Sequence, residues 1–572
     1  MPLTWKGNEI AHWHVKKIAV VGPGIVGMPM AALLAHARIR EGGTEPAKVL
    51  VVQRNSPTSG WKVDAINSGK SPIGGVEPAL DSIVAESVQE GLLSASYDYA
   101  DLADADMILI CTQTDKNGFA PEYGPLFEAL DGIAAALQKK PAGNVPVVVF
   151  ESTLAPSSML TVVRPLFAKY GLHDGRDILL GNSPNRVMPG RLVERVARAD
   201  KLAGGLHPGT PELIARLYSR IVTGGIVYRT NSLTAEIVKT LENAYRDVRI
   251  AYAAEVARYC DANDVDFFAL RDKVNAKVAR GDDASADPRA VPSGALLVPT
   301  VGVGGHCLPK DGILLWWRAI EAKEDTSRSL ILASRTINDE SPAATLALAE
   351  RRFGSLEGKR AALLGVAYRF DSEDTRNSPT LVLAQALLDR GAEVVLHDPY
   401  VHDRDQNLAK TKMTSRFTTD LDKALKGADV IFLCTAHGYY QDHRAAIERA
   451  PAAGLVDACN LFDPHTLNGM KDRYTGIGRG KKVPSAALID VVVAGFRAVE
   501  MGVANELSTL IEYLNERYAT DVFNRATLDE VRRLAATCTT GCDIAHPGVV
   551  AALPSVDGFT SRLVMTGQSS PR

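Results

Sequence analysis

Two stretches of this 572-residue chain echo one another, and each reads as a buried strand that runs into a glycine turn. Lys16-Lys17-Ile18-Ala19-Val20-Val21-Gly22 recurs in character at Lys359-Arg360-Ala361-Ala362-Leu363-Leu364-Gly365. Further along each half, Ala105-Asp106-Met107-Ile108-Leu109-Ile110-Cys111-Thr112 is matched by Ala428-Asp429-Val430-Ile431-Phe432-Leu433-Cys434-Thr435. Unbroken apolar runs of this kind belong to strands covered on both faces, as in parallel sheets sandwiched by helices. Their recurrence predicts two doubly wound α/β domains. Cys111 and Cys434 close the matching strands, where burial makes them structural.

Between the halves, Ser232 to Asp264 holds no glycine or proline and repeats apolar residues at helical spacing. That predicts one long helix, serving as a spine and as a surface for a second copy. The polar stretch Gly281 to Gly294 reads as a loop. Ala487 to Tyr518 has a helical pattern, whereas Thr537 to Arg572 is rich in Thr, Gly, Ser and Pro, a composition that favours fraying.

The 64 basic and 67 acidic residues give a formal charge of −3, so no global field draws nucleic acid or an anionic membrane, and neither is expected as a partner. No apolar run approaches the roughly 18 residues that span a bilayer. Met1 to Val15 lacks the apolar core of a signal peptide, so a cytoplasmic protein is expected. Seven scattered cysteines fit reduced thiols better than a disulfide framework. Cys538 and Cys542 have no second Cys/His pair at finger spacing, and no metal site is expected.

Gly22-Pro23-Gly24-Ile25-Val26-Gly27 follows an apolar strand and precedes a helix predicted from Pro29 to Ile39. In that context such glycines let backbone approach a pyrophosphate while the helix amino terminus faces it. The next strand, Val49 to Val52, runs into Gln53-Arg54-Asn55 in place of the acid that holds ribose hydroxyls. Gln53 lacks the charge that repels a 2′-phosphate and Arg54 supplies one that attracts it, so these residues leave NAD and NADP both open.

Gly302-Val303-Gly304-Gly305-His306-Cys307-Leu308-Pro309-Lys310-Asp311 sets one cysteine between a glycine-rich turn and a Lys-Asp pair. A nearby cation raises the thiolate fraction, which makes Cys307 a candidate nucleophile. Asp311 is a candidate to order or deprotonate water. Lys239 and Asn243 stand four apart on the long helix and share a face, as a pair that stabilises an alkoxide or oxyanion would.

Together these residues resemble the UDP-glucose/GDP-mannose dehydrogenase family over roughly residues 16–480. The likeness rests on the glycine fingerprint, Ser71-Pro72-Ile73 with Glu77-Pro78, Glu151-Ser152-Thr153, Pro184 through Gly190, Ala235-Glu236 with Lys239 and Asn243, and the Cys307 segment. It continues through Gly365-Val366-Ala367-Tyr368-Arg369, Asp374-Thr375-Arg376-Asn377-Ser378-Pro379 and Asp398-Pro399. The segments Glu151-Ser152-Thr153, Arg186-Val187-Met188-Pro189-Gly190 and Gly305-His306-Cys307 are closer to the UDP-N-acetylhexosamine branch, and Lys310-Asp311 to the glucose branch.

What the resemblance implies is an α/β protein with two Rossmann-like doubly wound domains joined by a long central helix, plus a mostly helical C-terminal extension. The expected division is a dinucleotide-binding domain at 1–230, a central helical domain with the cysteine loop at 231–345, a UDP-sugar-binding domain at 346–480 and an extension at 481–572. The implied activity is an NAD-dependent, four-electron oxidation of a UDP-sugar C6 alcohol to the uronate in a homodimer or larger homo-oligomer. Cys307 would be the nucleophile, Lys239 and Asn243 the charge-stabilising pair, Asp311 and Thr153 the water-ordering groups. Gly22, Gly24, Ile25, Val26, Gly27, Gln53, Arg54, Thr112, Thr114, Glu151 and Arg376 would surround the cofactor. Asn185, Arg186, Arg289, Gly304, Gly305, Tyr368 and Arg369 would face the sugar nucleotide.

Three positions depart from the family pattern. Asn185 stands where a glutamate assists thioester hydrolysis, and an amide is no general base. Gln53 replaces the ribose acid, and Cys459 replaces an arginine in Asp457-Ala458-Cys459-Asn460. Lys310-Asp311 leaves open a UDP-glucose 6-dehydrogenase, the glycine fingerprint with a Lys-Asn helix leaves open a two-electron dehydrogenase of the 3-hydroxyacid type, and these departures with the added tail leave open a nucleotide-sugar-binding protein without turnover.

Overall fold

The computed structural model describes residues 13–566 apart from 58, 75–76, 142–143, 187–189, 279–295, 468–469, 539–540 and 550–557, with backbone alone at 4–5, 8–9 and 567–569. Arg289 and the whole loop expected at Gly281 to Gly294 lie outside the described residues. The chain forms two compact units. One comprises Met1–Glu242, Ile313–Glu324 and Leu507–Asp543, the other Asn243–Gly312, Asp325–Glu506 and Ile544–Arg572.

The first unit is built on an eight-stranded sheet: β1 (Lys17–Val21), β2 (Lys48–Val52), β3 (Leu93–Ser96), β4 (Met107–Ile110), β5 (Val147–Phe150), β6 (Leu179–Asn182), β7 (Lys201–Gly205) and β8 (Val227–Asn231). The strand order is β8-β7-β6-β5-β4-β1-β2-β3, parallel except where β6 meets β7. Strand side chains alternate between faces, and both faces are covered. Ile18, Val20, Val49, Val51, Met107 and Leu109 enter one core, and Ala19, Val21, Leu50, Val52, Ile108 and Ile110 the other. This double burial, worth about 1.5–3 kcal/mol for each large apolar side chain, is why the strands read as unbroken apolar runs.

The second unit holds a six-stranded parallel sheet: β9 (Arg360–Leu364), β10 (Glu393–His397), β11 (Phe417–Thr418), β12 (Val430–Leu433), β13 (Gly454–Asp457) and β14 (Tyr474–Gly476), in the order β11-β10-β9-β12-β13-β14. The echo is therefore topological as well. In each sheet the first strand is flanked by its second and fourth, which places a reversal of winding at the carboxyl ends of those strands, where open α/β sheets bind ligands.

Helix α1 runs from Gly27 to His36, two residues earlier at its start and three shorter at its end than the predicted span. Arg38 takes a left-handed conformation (φ 47°), which no continuing helix can accommodate. Helix α2, Ser232–Asn263, matches the long-helix prediction to within one residue. Asn231 caps it, its Oδ1 accepting from Thr234 N at 2.8 Å, and Asp264 ends it with φ 58°. Helix α3 spans Leu308–Glu321, and α4, at Ala486–Tyr518, begins one residue before the predicted helix.

The expected fraying beyond Thr537 is corrected by the structure. Cys538, Cys542, Ile544, Phe559, Leu563 and Val564 are buried, and Glu255 accepts from Ser561 Oγ and Arg562 N at 2.7 Å each. Apolar residues spaced among the Thr, Gly, Ser and Pro bury the described parts of this tail, up to Asp543 in the first unit and from Ile544 in the second, a pattern that bulk composition hides.

Candidate active site

At the end of β1, Gly22 turns the chain with φ 94°, and a side chain on Gly27 would overlap the Gly22 carbonyl oxygen. Gly24 lies between them, yet a Cβ there would meet nothing within 4 Å. Two glycines thus serve packing, while the third keeps an open space. Helix α1 starts at this turn with no side-chain cap, and Met28 N and Met30 N donate to the carbonyls of Gly24 and Val26 at 3.0 and 3.3 Å, so an anion here would meet the positive end of the helix dipole and the N–H groups of the turn itself.

The matching turn after β9 is closed. A Cβ on Gly365 would sit 2.5 Å from that of Thr435, and the N–H groups of Val366 and Ala367 donate to Asp398 Oδ2 at 2.8 and 2.9 Å. The protein's own carboxylate occupies the place of an anion there. Only the first turn fits a dinucleotide pyrophosphate in the manner of its motif. Beside it Gln53 donates to Ser59 Oγ at 3.0 Å and Arg54 pairs with Glu128 at 2.6 Å, both partners exposed. Arg54 is therefore not a lone cation awaiting a 2′-phosphate.

The segments after β4 and β5 are tied together: Thr114 Oγ1 donates to Thr153 O at 2.7 Å and Ser152 Oγ to Thr112 O. Glu151 is fully buried. Its carboxylate takes the Lys201 ammonium at 2.7 Å and the Tyr218 hydroxyl, with the Asn185 amide at 3.4 Å. The loop through Thr153 is clamped by residues the sequence did not single out for it. Glu236 accepts from Ser157 N and Met159 N at 2.8 and 2.9 Å, Arg318 donates to Ser157 Oγ at 2.8 Å, and Ala155 N donates to the Tyr123 hydroxyl at 2.9 Å. Burial pushes the Tyr123 hydroxyl up to about 12. Such contacts, made over tens of residues, leave no local signature.

Lys239 is 8% exposed, and its ammonium makes no hydrogen bond or ion pair with another described residue. Arg186, expected to face a substrate, has its guanidinium enclosed instead, 2.5 Å from Glu242. Val187 to Pro189 fall outside the described residues.

In the second unit, Cys307 is exposed and directly precedes α3. Its carbonyl accepts from Lys310 N at 3.0 Å and Asp311 N at 2.9 Å, which fixes the thiol at the helix amino terminus. That position stabilises a thiolate. Asp311, with no exposed surface, accepts the Asn243 amide at 2.5 Å and pairs with Lys310 at 3.1 Å. Here a sequence expectation is corrected: the Lys310 charge is matched by Asp311 within the core, so the positive potential at Cys307 comes from the helix terminus and from the Arg376 guanidinium, which lies within electrostatic reach of the thiol, rather than from Lys310.

The glycine-rich turn before Cys307 rests on the second sheet's loops. Gly305 N donates to Arg376 O at 2.8 Å, and Asn377 Nδ2 to Gly305 O at 2.9 Å. A Cβ on Gly305 would lie 2.7 Å from Tyr368 Cζ, and one on Gly304 would overlap the same side chain, so only glycine allows the ring this close. Burial, followed by Asp374, pushes the Tyr368 hydroxyl up to about 12. Arg376 forks onto Asp374, with Nε at 2.9 and 3.1 Å from the two oxygens. Arg369 lies beside this group, over the Phe370 ring. The structure thus gathers Cys307, Asn243, Asp311, Gly304, Gly305, Tyr368 and Arg376 in one unit, and the first glycine turn, Thr112, Thr114, Thr153, Glu151, Asn185, Arg186 and Lys239 in the other.

Three family models match in order along the chain: the NAD binding domain of the UDP-glucose/GDP-mannose dehydrogenase family at residues 16–222, its central domain at 233–340 and its UDP binding domain at 362–464. The UDP-N-acetyl-D-mannosamine dehydrogenase of Pyrococcus horikoshii is 31% identical over 470 residues, covering 81% of this chain and 99% of that protein. The NDP-N-acetyl-D-galactosaminuronic acid dehydrogenase of Ralstonia nicotianae is 29% identical, covering 78% and 96%. Among solved structures, that of NDP-N-acetyl-D-galactosaminuronic acid dehydrogenase from Methanosarcina mazei superposes with a TM-score of 0.67 at 30% identity, covering 82% of this chain and 96% of the other.

Proposed function

Because the chain belongs to the UDP-glucose/GDP-mannose dehydrogenase family and is an NAD-dependent oxidoreductase, we propose that it oxidises the C6 alcohol of a UDP-N-acetylhexosamine to the uronate through a covalent adduct on Cys307. The observation that carries this reading is an exposed thiol at the amino terminus of α3, one turn before an Asp311 that is locked to Asn243. The hexosamine preference is supported by the relatives named for N-acetylmannosamine and N-acetylgalactosaminuronic acid substrates.

The Gly22 to Gly27 turn, Thr112 and Thr114 would hold NAD, which when bound accepts the hydride lost from C6 in each of two oxidations. In the first, Lys239 takes the hydroxyl proton, directly or through water, as the alcohol becomes an aldehyde. The Cys307 thiolate then adds to the aldehyde carbon, and Lys239 with Asn243 stabilises the oxyanion of the resulting thiohemiacetal. Loss of the second hydride leaves a thioester. Water ordered by Thr153 and Asp311 attacks it, passing its protons by way of Asp311 to solvent, the C–S bond breaks, and the uronate departs while Cys307 returns to the thiolate. Asn185 supplies no base for this last step, so release is the slow one in this account. Gly304, Gly305, Tyr368, Arg369 and Arg289 would hold the sugar nucleotide. Arg376 would add a charge for phosphate only by leaving Asp374.

The four-part division at residues 230, 345 and 480, the homo-oligomer and the cytoplasmic location belong to the same proposal. UDP-N-acetylmannosamine, UDP-N-acetylglucosamine, UDP-N-acetylgalactosamine, UDP-glucose and GDP-mannose, each assayed with NAD and NADP while product mass is followed, test it. A uronate from a UDP-N-acetylhexosamine with NAD is expected, and turnover restricted to UDP-glucose or GDP-mannose would overturn the substrate assignment.

A further inference from the structure

The last family model ends at residue 464, and the Pyrococcus relative is matched over 99% of its length by 81% of this chain. Helix α5, Leu528–Ala535, and the turn after it lie beyond the last family model. Within the first unit they close around Arg186. Its side chain is 4% exposed, and its Nη2 lies 2.5 Å from Glu242 and donates to Leu534 O at 3.0 Å. Its Nη1 donates to Thr537 Oγ1 at 2.8 Å and to Asp200 O at 3.3 Å. Each terminal nitrogen is therefore held by one oxygen of the extension.

The hydroxyl of Thr537 donates its proton to Leu534 O at 2.7 Å, so its lone pair faces the guanidinium and the direction of this small network is set. Cys538 and Cys542 lie within electrostatic reach of the same cation. On the other side, Arg186 N donates to Asn185 Oδ1 at 2.9 Å, which joins the anchored guanidinium to the neighbouring amide. Glu242 is the residue before Asn243 on α2. One buried cation thus ties the Asn185 loop, the helix position next to Asn243 and the extension into a single hydrogen-bonded group.

We propose that the turn Leu534–Thr537 of the C-terminal extension is a positioning element for the substrate loop at Asn185, acting through the Arg186–Glu242 pair. The inference rests on the proposed dehydrogenase reading, deepens it, and gives the extension a role in sugar binding. Arg186 is in this account a positioning residue, not a substrate ligand.

The test compares wild type, Thr537→Val and Thr537→Ser in the full chain with NAD. A lost hydrogen bond to a buried charge should raise the KM for the UDP-N-acetylhexosamine about tenfold in Thr537→Val, leave the KM for NAD unchanged and be reversed by serine, which keeps the hydroxyl. An unchanged sugar KM, or equal rises in both KM values, would overturn the proposal. Amide hydrogen exchange at residues 183–186 reads the same device without turnover. Faster exchange in Thr537→Val is expected, and identical exchange would overturn the role of the extension even if wild type oxidises no UDP-sugar and the dehydrogenase reading itself fails. Should Thr537→Val not fold, Arg186→Lys, which cannot span both nitrogens' partners, is expected to give the same selective KM rise and faster exchange.

Discussion

The side-chain amide of Asn243 donates to Asp311 Oδ2 across 2.5 Å, and Lys310 holds the other carboxylate oxygen at 3.1 Å. One group from α2 and two from the first turn of α3 are thereby locked together just past Cys307 in the chain. Asn243→Ala removes the orienting partner of Asp311 and, in the proposed reaction, an oxyanion donor. It should lower kcat on the order of a hundredfold or more, measured by cofactor reduction at saturating substrate. Asn243→Asp sets a second carboxylate against the first, and repulsion between them should lower kcat as well.

Glycines 24 and 27 share a motif but not a role. Alanine at position 24 enters open space, so Gly24→Ala should melt at the wild-type temperature while the KM for NAD rises steeply. Alanine at position 27 meets the Gly22 carbonyl, so Gly27→Ala should lose stability. Thermal melts beside NAD titrations separate the two, and a destabilised Gly24→Ala with normal NAD binding would contradict the assignment of that space to the cofactor.

Cys307→Ser removes the group that, in the proposed reaction, turns an aldehyde into a thioester. Reduced cofactor per UDP-sugar should fall from two to one, with aldehyde as the product. A wild-type ratio of one, unchanged in Cys307→Ser, would favour a two-electron dehydrogenase of the 3-hydroxyacid type.

Glu236 gives a pH dependence of stability. Burial, only partly opposed by its bonds from Met159 N and Ser157 N and by Arg318, pushes the carboxyl from its usual 4.5 up to about 8. The folded state then keeps a proton that the unfolded chain releases. Its contribution is full below 4.5 and is lost as pH rises toward about 8. Glu236→Gln has nothing to titrate and should flatten the fall of Tm across that window. It should also melt lower at acid pH, since the amide nitrogen cannot accept one of the two backbone N–H groups. Equal slopes for the two proteins would contradict the assignment.

The paired sheets were legible because Ile18 to Val21 and Ala361 to Leu364 are buried on both faces and must be apolar throughout. Gly22, Gly24 and Gly27 announced a turn, but only the coordinates separate the open space at Gly24 from the packed ones beside it, or the first turn from its twin at Gly365, which Asp398 fills. Cys307 and Asp311 stood out by local spacing. Lys310 misled for the same reason, since sequence proximity to a thiol does not show that its charge is matched by Asp311. The enclosure of Arg186 was illegible: Leu534 and Thr537 are more than three hundred residues away, and Thr537 opens a segment whose composition argued for fraying.

The central claim is a bond between the Cys307 sulfur and the sugar's C6. Acid quench of the enzyme turning over a UDP-N-acetylhexosamine with NAD, followed by digestion and peptide mass mapping, tests it most directly. An acyl adduct on the peptide carrying Cys307, absent when NAD is omitted, is the predicted result. Uronate formed at the wild-type rate by Cys307→Ser, with no adduct on any wild-type peptide, would contradict it.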